Sequence, residues 1–206
     1  MTQHFFLRIL LFFAFPIFGQ SFQVENKYEM TFKKSQVIKK NQFMLADDTF
    51  KLTMPDGFKK VRIQFEVSTL SGKAEIFDPN KFYLVSELHR VRVRPVDFAY
   101  NRNIFRGFCS FSKLSQEPTD GKYGHILQYK PEIRDYFTDF TIAGYQDIDI
   151  PINFGSNQKP FVRKTYVKPK KWKSNLLGIY IFIPEDINTF AVFYGAEKLM
   201  QIELVE

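Results

Sequence analysis

Between Ser156 and Pro184 the chain carries Lys159, Arg163, Lys164, Lys168, Lys170, Lys171 and Lys173 and no acid. The net charge is +7 for all 206 residues. Basicity is therefore local, and local basicity steers anionic partners. Tyr166 and Trp172 lie among these lysines, and cations with interleaved rings suit an anionic lipid surface or an acidic polysaccharide. The binding residues this predicts are Lys164, Lys168, Lys170, Lys171, Trp172 and Lys173, with Lys168 to Lys173 read as an exposed loop before a strand. The plainer reading is a solvated loop that keeps the protein soluble.

Other groups invite chemistry and fall short of it. Arg90, Arg92 and Arg94 alternate along one strand face, which suits either an anion ladder or cross-strand pairing; Asp147 and Asp149 are the natural partners, and pairing is the preferred reading. Those aspartates show no Asp-x-Asp-x-Asp-Gly calcium loop. Cys109 and His125 could form a nucleophile and base, yet Gly-Phe-Cys-Ser-Phe matches no nucleophile signature. A cysteine between Phe108 and Phe111 reads as a small buried hydrophobe. After the N-terminal segment only His89 and His125 remain, too few for an expected zinc site. No metal and no cofactor are expected. Glu132, Asp135 and Asp139 read as the solvated side of a short helix rather than a hydrolytic carboxylate pair.

The elements that would position these residues are mostly strands. Tyr28, Met30 and Phe32 alternate, as do Phe50, Leu52 and Met54, then Val61, Ile63, Phe65 and Val67. Phe82 to Val85 and Leu176 to Ile183 are apolar on both faces, which places them centrally or beneath a cover. Ile148, Ile150, Ile152 and Phe154 alternate, Phe161 to Val167 follows, and Phe190 to Leu204 makes a closing hairpin around Gly195. Across 101–140 alternation gives way to Gly and Pro. Within it Pro131, Ile133, Tyr136, Phe137 and Phe140 are spaced for a short helix with an aromatic face. Eight or nine strands with turn signals between them predict a mainly β, antiparallel sandwich carrying a loop and short-helix insertion at about 101–140.

The first residues read as a secretory signal. Arg8 supplies charge, Ile9 to Phe15 an apolar core, Pro16 a break, and Gly19 a small residue at the cut. Cleavage after Gly19 leaves a single domain over 20–206 with net charge +6, since Arg8 departs. Such a chain buries about 70% of its unfolded surface without a staple. Cys109 is the only cysteine, so no intramolecular disulfide forms. No later stretch is long enough for a membrane-spanning helix. The expected location is periplasmic or extracellular, where nucleic acid is an unusual partner.

Two stretches resemble a family of exported bacterial immunoglobulin-like sandwich domains of unassigned role. One runs from Val61 to Tyr100, with Val-Arg-Ile-Gln-Phe-Glu-Val, Phe-Asp-Pro-Asn-Lys-Phe-Tyr-Leu-Val and Arg-Pro-Val-Asp-Phe-Ala-Tyr. The other runs from Leu177 to Val205, with Gly-Ile-Tyr-Ile-Phe-Ile-Pro and Thr-Phe-Ala-Val-Phe-Tyr. The resemblance covers a third to a half of the chain and rests on packing and turn residues. It implies a sandwich used for binding or scaffolding and no catalytic residue. The chain departs from it by lacking a lipid-attachment cysteine and by its long 101–140 segment. The resulting expectation is an exported, non-catalytic module that binds an anionic surface or an envelope protein. The alternatives are a hydrolase built in 101–140 and a structural subunit that pairs through strand edges.

Overall fold

Strand alternation builds two sheets around one aromatic core. The computed structural model describes residues 19–38, 55–100, 107–108, 111–113, 128–129, 134–153, 158–160, 162–163, 166–167 and 169–204. The first sheet comprises β1 (Ser21–Val24), β2 (Tyr28–Val37), β3 (Phe58–Thr69), β7 (Asp97–Tyr100), β8 (Gly107–Phe108) and β16 (Ser174–Pro184), in the order β1-β2-β3-β16-β7-β8. Every pairing in it is antiparallel. The second sheet comprises β5 (Phe82–Ser86), β6 (Val91–Val93), β11 (Gln146–Ile148), β17 (Thr189–Tyr194) and β18 (Glu197–Glu203), in the order β11-β6-β5-β17-β18. Only β11 runs parallel to its neighbour there.

Short pieces complete the described chain. β4 (Glu75–Phe77) pairs with β15 (Lys170–Trp172), and β12 (Ile152–Asn153) with β13 (Val162–Arg163). β9 (Phe111–Lys113) lies between β10 (Gln128–Tyr129) and β14 (Tyr166–Val167). A single 3-10 turn at Pro79–Lys81 is capped by Asp78, which accepts from the Asn80 N–H.

The inward faces of the two sheets share one core. Val61, Ile63, Phe65 and Val67 of β3 and Leu177, Ile179, Ile181 and Ile183 of β16 pack with Phe82, Leu84, Phe190, Val192 and Tyr194 of the second sheet. Phe65 and Phe82 stack between the sheets at 6.1 Å. The arrangement is mainly β and antiparallel, consistent with a sandwich. β16 occupies the centre, paired along its whole length with β3 and over Leu177–Tyr180 with β7, which is why its residues are apolar on both faces. Two turns use the left-handed backbone that glycine tolerates: Gly57 (φ 75) before β3 and Gly195 (φ 59) between β17 and β18.

Several sequence expectations need correction. The described part of the proposed helix, residues 134–140, forms turns rather than an α-helix. Its aromatic spacing serves another purpose: Phe137 and Phe140 close on the guanidinium of Arg92. The described chain contains eighteen strand segments rather than eight or nine. In the run from Ile148, Ile148 ends β11 and Ile152 starts β12, while the described residues of 161–167 fall in β13 and β14. Short segments that pair with different partners look continuous when only alternation is read. Phe50, Leu52 and Met54 lie outside the described residues.

Candidate functional site

Trp172 determines how the basic segment meets the rest of the molecule. Its indole stacks on Phe77 at 4.5 Å and meets Tyr100 edge-on at 4.8 Å, and the residue is 8% exposed. Phe77 in turn stacks on Tyr194 and takes the edge of Tyr28. The ring therefore belongs to the core. The expectation of an exposed stacking ring at Trp172 is overturned, because Phe77 of β4 and Tyr100 of β7 offer it two aromatic partners. The described part of the 168–173 run is correspondingly not an open loop. Lys170–Trp172 is strand β15, held against β4 in the register Lys170↔Phe77, Lys171↔Ile76 and Trp172↔Glu75.

Burying Trp172 turns Lys171 outward. Lys171 lies directly opposite Ile76, which is 59% exposed, and opposite residues share a face of the ribbon. Three more exposed lysines gather where the ribbon meets the end of β3. The Leu70 N–H donates to the Lys27 carbonyl, the Thr69 N–H to the Lys173 carbonyl, and the Thr69 hydroxyl to the Lys73 carbonyl. Leu70 is itself 44% exposed. Lys27, Lys73, Lys171 and Lys173 thus surround two exposed aliphatic side chains. The acid nearby is Glu75, half-buried and hydrogen-bonded by the Ser71 hydroxyl. Among the described residues no salt bridge reaches these four lysines. Lys170 is half-buried with its ammonium 5.6 Å from the centre of the Tyr100 ring. Lys164 and Lys168 lie outside the described residues. Lys27, Lys73, Ile76 and Leu70 went unnoticed in the sequence, since they are far from the basic run and join it only through β4–β15 pairing and the turn after β3.

The arginines have the opposite fate. Arg92 is fully buried, pairs bidentately with Asp147 (Nε to Oδ1 at 2.8 Å, Nη2 to Oδ2 at 2.6 Å), and lies 4.1 Å and 4.4 Å from the centres of the Phe137 and Phe140 rings. Arg94 binds Asp135 at 2.6 Å and Asp149 at 3.2 Å. The Tyr166 hydroxyl donates to the second Asp135 oxygen at 2.6 Å. Burial pushes the Asp135 carboxyl up, but hydrogen bonds from Arg94 and Tyr166 outweigh it and hold the group below the usual carboxylate range. Burial and the bond to Asp135 push Tyr166 up to about 12. The pairing with Asp147 and Asp149 stands as expected. In these pairs Arg92 is fully buried while Asp147 reaches the surface, Arg94 and its two aspartates are half-buried, and Arg90 lies in the turn before β6 with φ 50, off the strand. This cluster fastens the 134–149 segment to the outer face of the second sheet.

The hydrolytic reading finds little among these groups. Cys109, His125 and Glu132 lie outside the described residues. Asp135 is committed to Arg94 and Tyr166, and Asp139 to Arg134. Ser86, His89 and Asp186 do form a chain, with 3.0 Å from the serine oxygen to Nδ1 and 3.7 Å from Nε2 to the carboxylate. Ser86 is only 2% exposed, so a substrate carbonyl has no approach to its hydroxyl. Among the described residues no group of three His, Cys, Asp or Glu side chains could hold a metal ion, and no helix is long and apolar enough to cross a membrane.

A second buried pair lies on the face of the first sheet turned away from the shared core. Lys60 and Asp97 are 3% and 2% exposed. Tyr180 of β16 stands between their strands, opposite both Arg62 and Asp97. Asp97 accepts from the Phe98 N–H at 2.7 Å. Burial raises its carboxyl to about 7 despite that bond and the nearby Lys60. Burial lowers Lys60 to about 8, against the pull of Asp97. The sequence offered no signal for this pair, since Lys60 is one of four charged residues in β3 and Asp97 opens the short strand β7.

No family model, curated protein or solved structure matches this chain.

Proposed function

We propose that the protein is an exported, non-catalytic binding module whose basic ribbon docks on an anionic lipid surface. The observation that carries this reading is the juxtaposition of exposed Lys27, Lys73, Lys171 and Lys173 with exposed Leu70 and Ile76 on one end of the molecule. Cations gain by approaching phosphate headgroups, each contributing about 1 kcal/mol near a charged membrane surface. The aliphatic side chains at their centre can enter the headgroup boundary, which a patch built for solubility would not need. An immunoglobulin-like topology, a signal cleaved after Gly19 and a periplasmic or extracellular location belong to the same proposal. The family resemblance of Val61–Tyr100 and Leu177–Val205 and the character of residues 1–19 support them.

The test is co-sedimentation of the 20–206 chain with vesicles of phosphatidylglycerol and phosphatidylcholine, against phosphatidylcholine alone, at low and high salt. Binding confined to the anionic vesicles, weakened by salt and lost in Lys73→Gln/Lys171→Gln/Lys173→Gln, supports the proposal, because exposed charges are screened over about 8 Å at physiological salt. Reduced binding of Ile76→Ser at unchanged salt dependence supports the aliphatic part. Absence of binding under every condition, or equal binding by the lysine variant, refutes it. Binding to an acidic polysaccharide instead of the vesicles would replace the lipid with another anion.

A further inference from the structure

The residue that cleavage after Gly19 would expose is a glutamine, and it lies exposed one position before the edge strand β1. We propose that Gln20 closes to a pyroglutamyl lactam, so that the finished protein begins with a neutral, amine-blocked residue. This inference rests on the export reading above.

The chemistry needs no partner reagent. The α-amino nitrogen of Gln20 attacks its own side-chain amide carbon, a new N–Cδ bond forms, the Cδ–Nε2 bond breaks, and ammonia leaves with the proton it requires. The product is a five-membered ring. Closure is intramolecular, with the reacting atoms joined by a few bonds, so orientation is already provided.

The structure is compatible with the product at every contact Gln20 makes. Its carbonyl accepts from the Phe32 N–H at 2.8 Å, and lactam formation consumes the amine and the side-chain amide while leaving that carbonyl intact. Gln20 is exposed, so the ring has room. From Ser21 onward β1 is anchored independently, by its antiparallel register with β2 and by the 2.7 Å bond between the Ser21 and Thr31 hydroxyls.

Glycine suits the position before the proposed cut. A side chain there would bring a Cβ within 2.7 Å of the Phe32 carbonyl oxygen and 3.0 Å of the Thr31 methyl. The backbone at the proposed cut therefore lies close against β2 once the sheet has formed, and only glycine fits that approach without a shift. Cleavage there frees the amine of Gln20. Loss of the ammonium also removes a positive charge from the end of an edge strand, and it denies aminopeptidases their substrate.

The experiment is intact-mass measurement and stepwise N-terminal degradation of the protein recovered after export of the full 206-residue chain. The expected result is a chain starting at residue 20, lighter by one ammonia and refractory to degradation, while Gln20→Ala starts at the same position and degrades normally. A chain that starts at Gln20, keeps its ammonia and degrades normally after prolonged incubation overturns the lactam while leaving export intact. An uncleaved chain, or one cut elsewhere, overturns the export reading and the lactam together.

Discussion

Two positive runs in this molecule look alike as sequence and behave oppositely as structure. Arg92 and Arg94 lie under the aromatic rings of Phe137 and Tyr166 and are matched by Asp147, Asp135 and Asp149. Lys171 and Lys173 stand exposed beside Ile76 and the turn after β3. The difference lies in the partners. The arginines are answered from a nearby segment that supplies carboxylates at matching register and rings at matching height. No acid lies between Ser156 and Pro184, and among the described residues no salt bridge reaches Lys171 or Lys173. Side-chain chemistry reinforces the contrast. A planar guanidinium can stack between rings while forming two parallel hydrogen bonds, whereas an ammonium is compact, strongly hydrated and better left in water. Only the exposed run is available to an outside partner.

The sharpest way to break this comparison is Trp172→Ala, since that ring is what turns Lys171 outward. Removing it from the Phe77–Tyr100 stack should cost about 3–5 kcal/mol in denaturant unfolding, with Trp172→Phe costing much less. Unchanged stability would mean that the indole is a surface group after all, and the ribbon would have to be redrawn.

Next comes Asp147→Ala, which leaves the Arg92 guanidinium buried without its bidentate acceptor. A loss of about 3 kcal/mol is expected, and Arg92→Met combined with Asp147→Ala should recover most of it, because the pair adds little beyond an apolar substitute of similar size. Neither change should alter vesicle binding. If the double variant is no more stable than the single one, the charge pair holds the segment for a reason other than compensation of a buried cation.

Lys60 provides a third case, a buried cation close to the Asp97 carboxylate. Asp97 titrates near 7 in the folded chain and near 3.8 when free. A raised acid pKa contributes stability that is fully present below about 3.8 and is lost as pH rises through about 7. Unfolding free energy should therefore fall by about 2 kcal/mol between pH 5 and pH 7. The Lys60 contribution has the other sense: depressed from 10.5 to about 8, it favours the folded state above the unfolded value and is lost as pH falls through about 8. Stability is expected to pass through a minimum between these values, with Arg62 and Tyr180 as the facing polar neighbours on adjoining strands. In Asp97→Asn the acidic limb should flatten; an unchanged limb would assign it to other carboxylates.

The smallest stability effect belongs to the residues argued to matter most for function. Lys73→Gln, Lys171→Gln and Lys173→Gln together should shift unfolding by no more than about 0.5 kcal/mol each, as exposed positions do. A larger loss would show that these lysines hold the ribbon in place, and would dissolve the contrast with the arginines.

Residue patterns alone determined the strand-rich class, the alternation of β3, the central placement of β16, the closing hairpin at Gly195 and the partnership of Arg92 and Arg94 with Asp147 and Asp149. Each depends on neighbours within a strand or on a charge with an obvious complement. Tertiary structure decided the rest. The spacing of Tyr136, Phe137 and Phe140 suits a helix, but Phe137 and Phe140 are better used around Arg92, and local periodicity cannot see a guanidinium more than forty residues upstream. A Lys-Pro-Lys-Lys-Trp-Lys run looks like a loop until β4 supplies a partner strand and Phe77 and Tyr100 supply a place for the indole. The exposed lysine cluster, too, draws on β15, on Lys73 in the turn after β3 and on Lys27 in the turn before β2. Pairing between distant strands depends on which faces can be buried together, and that is a property of the whole fold rather than of any one stretch of it.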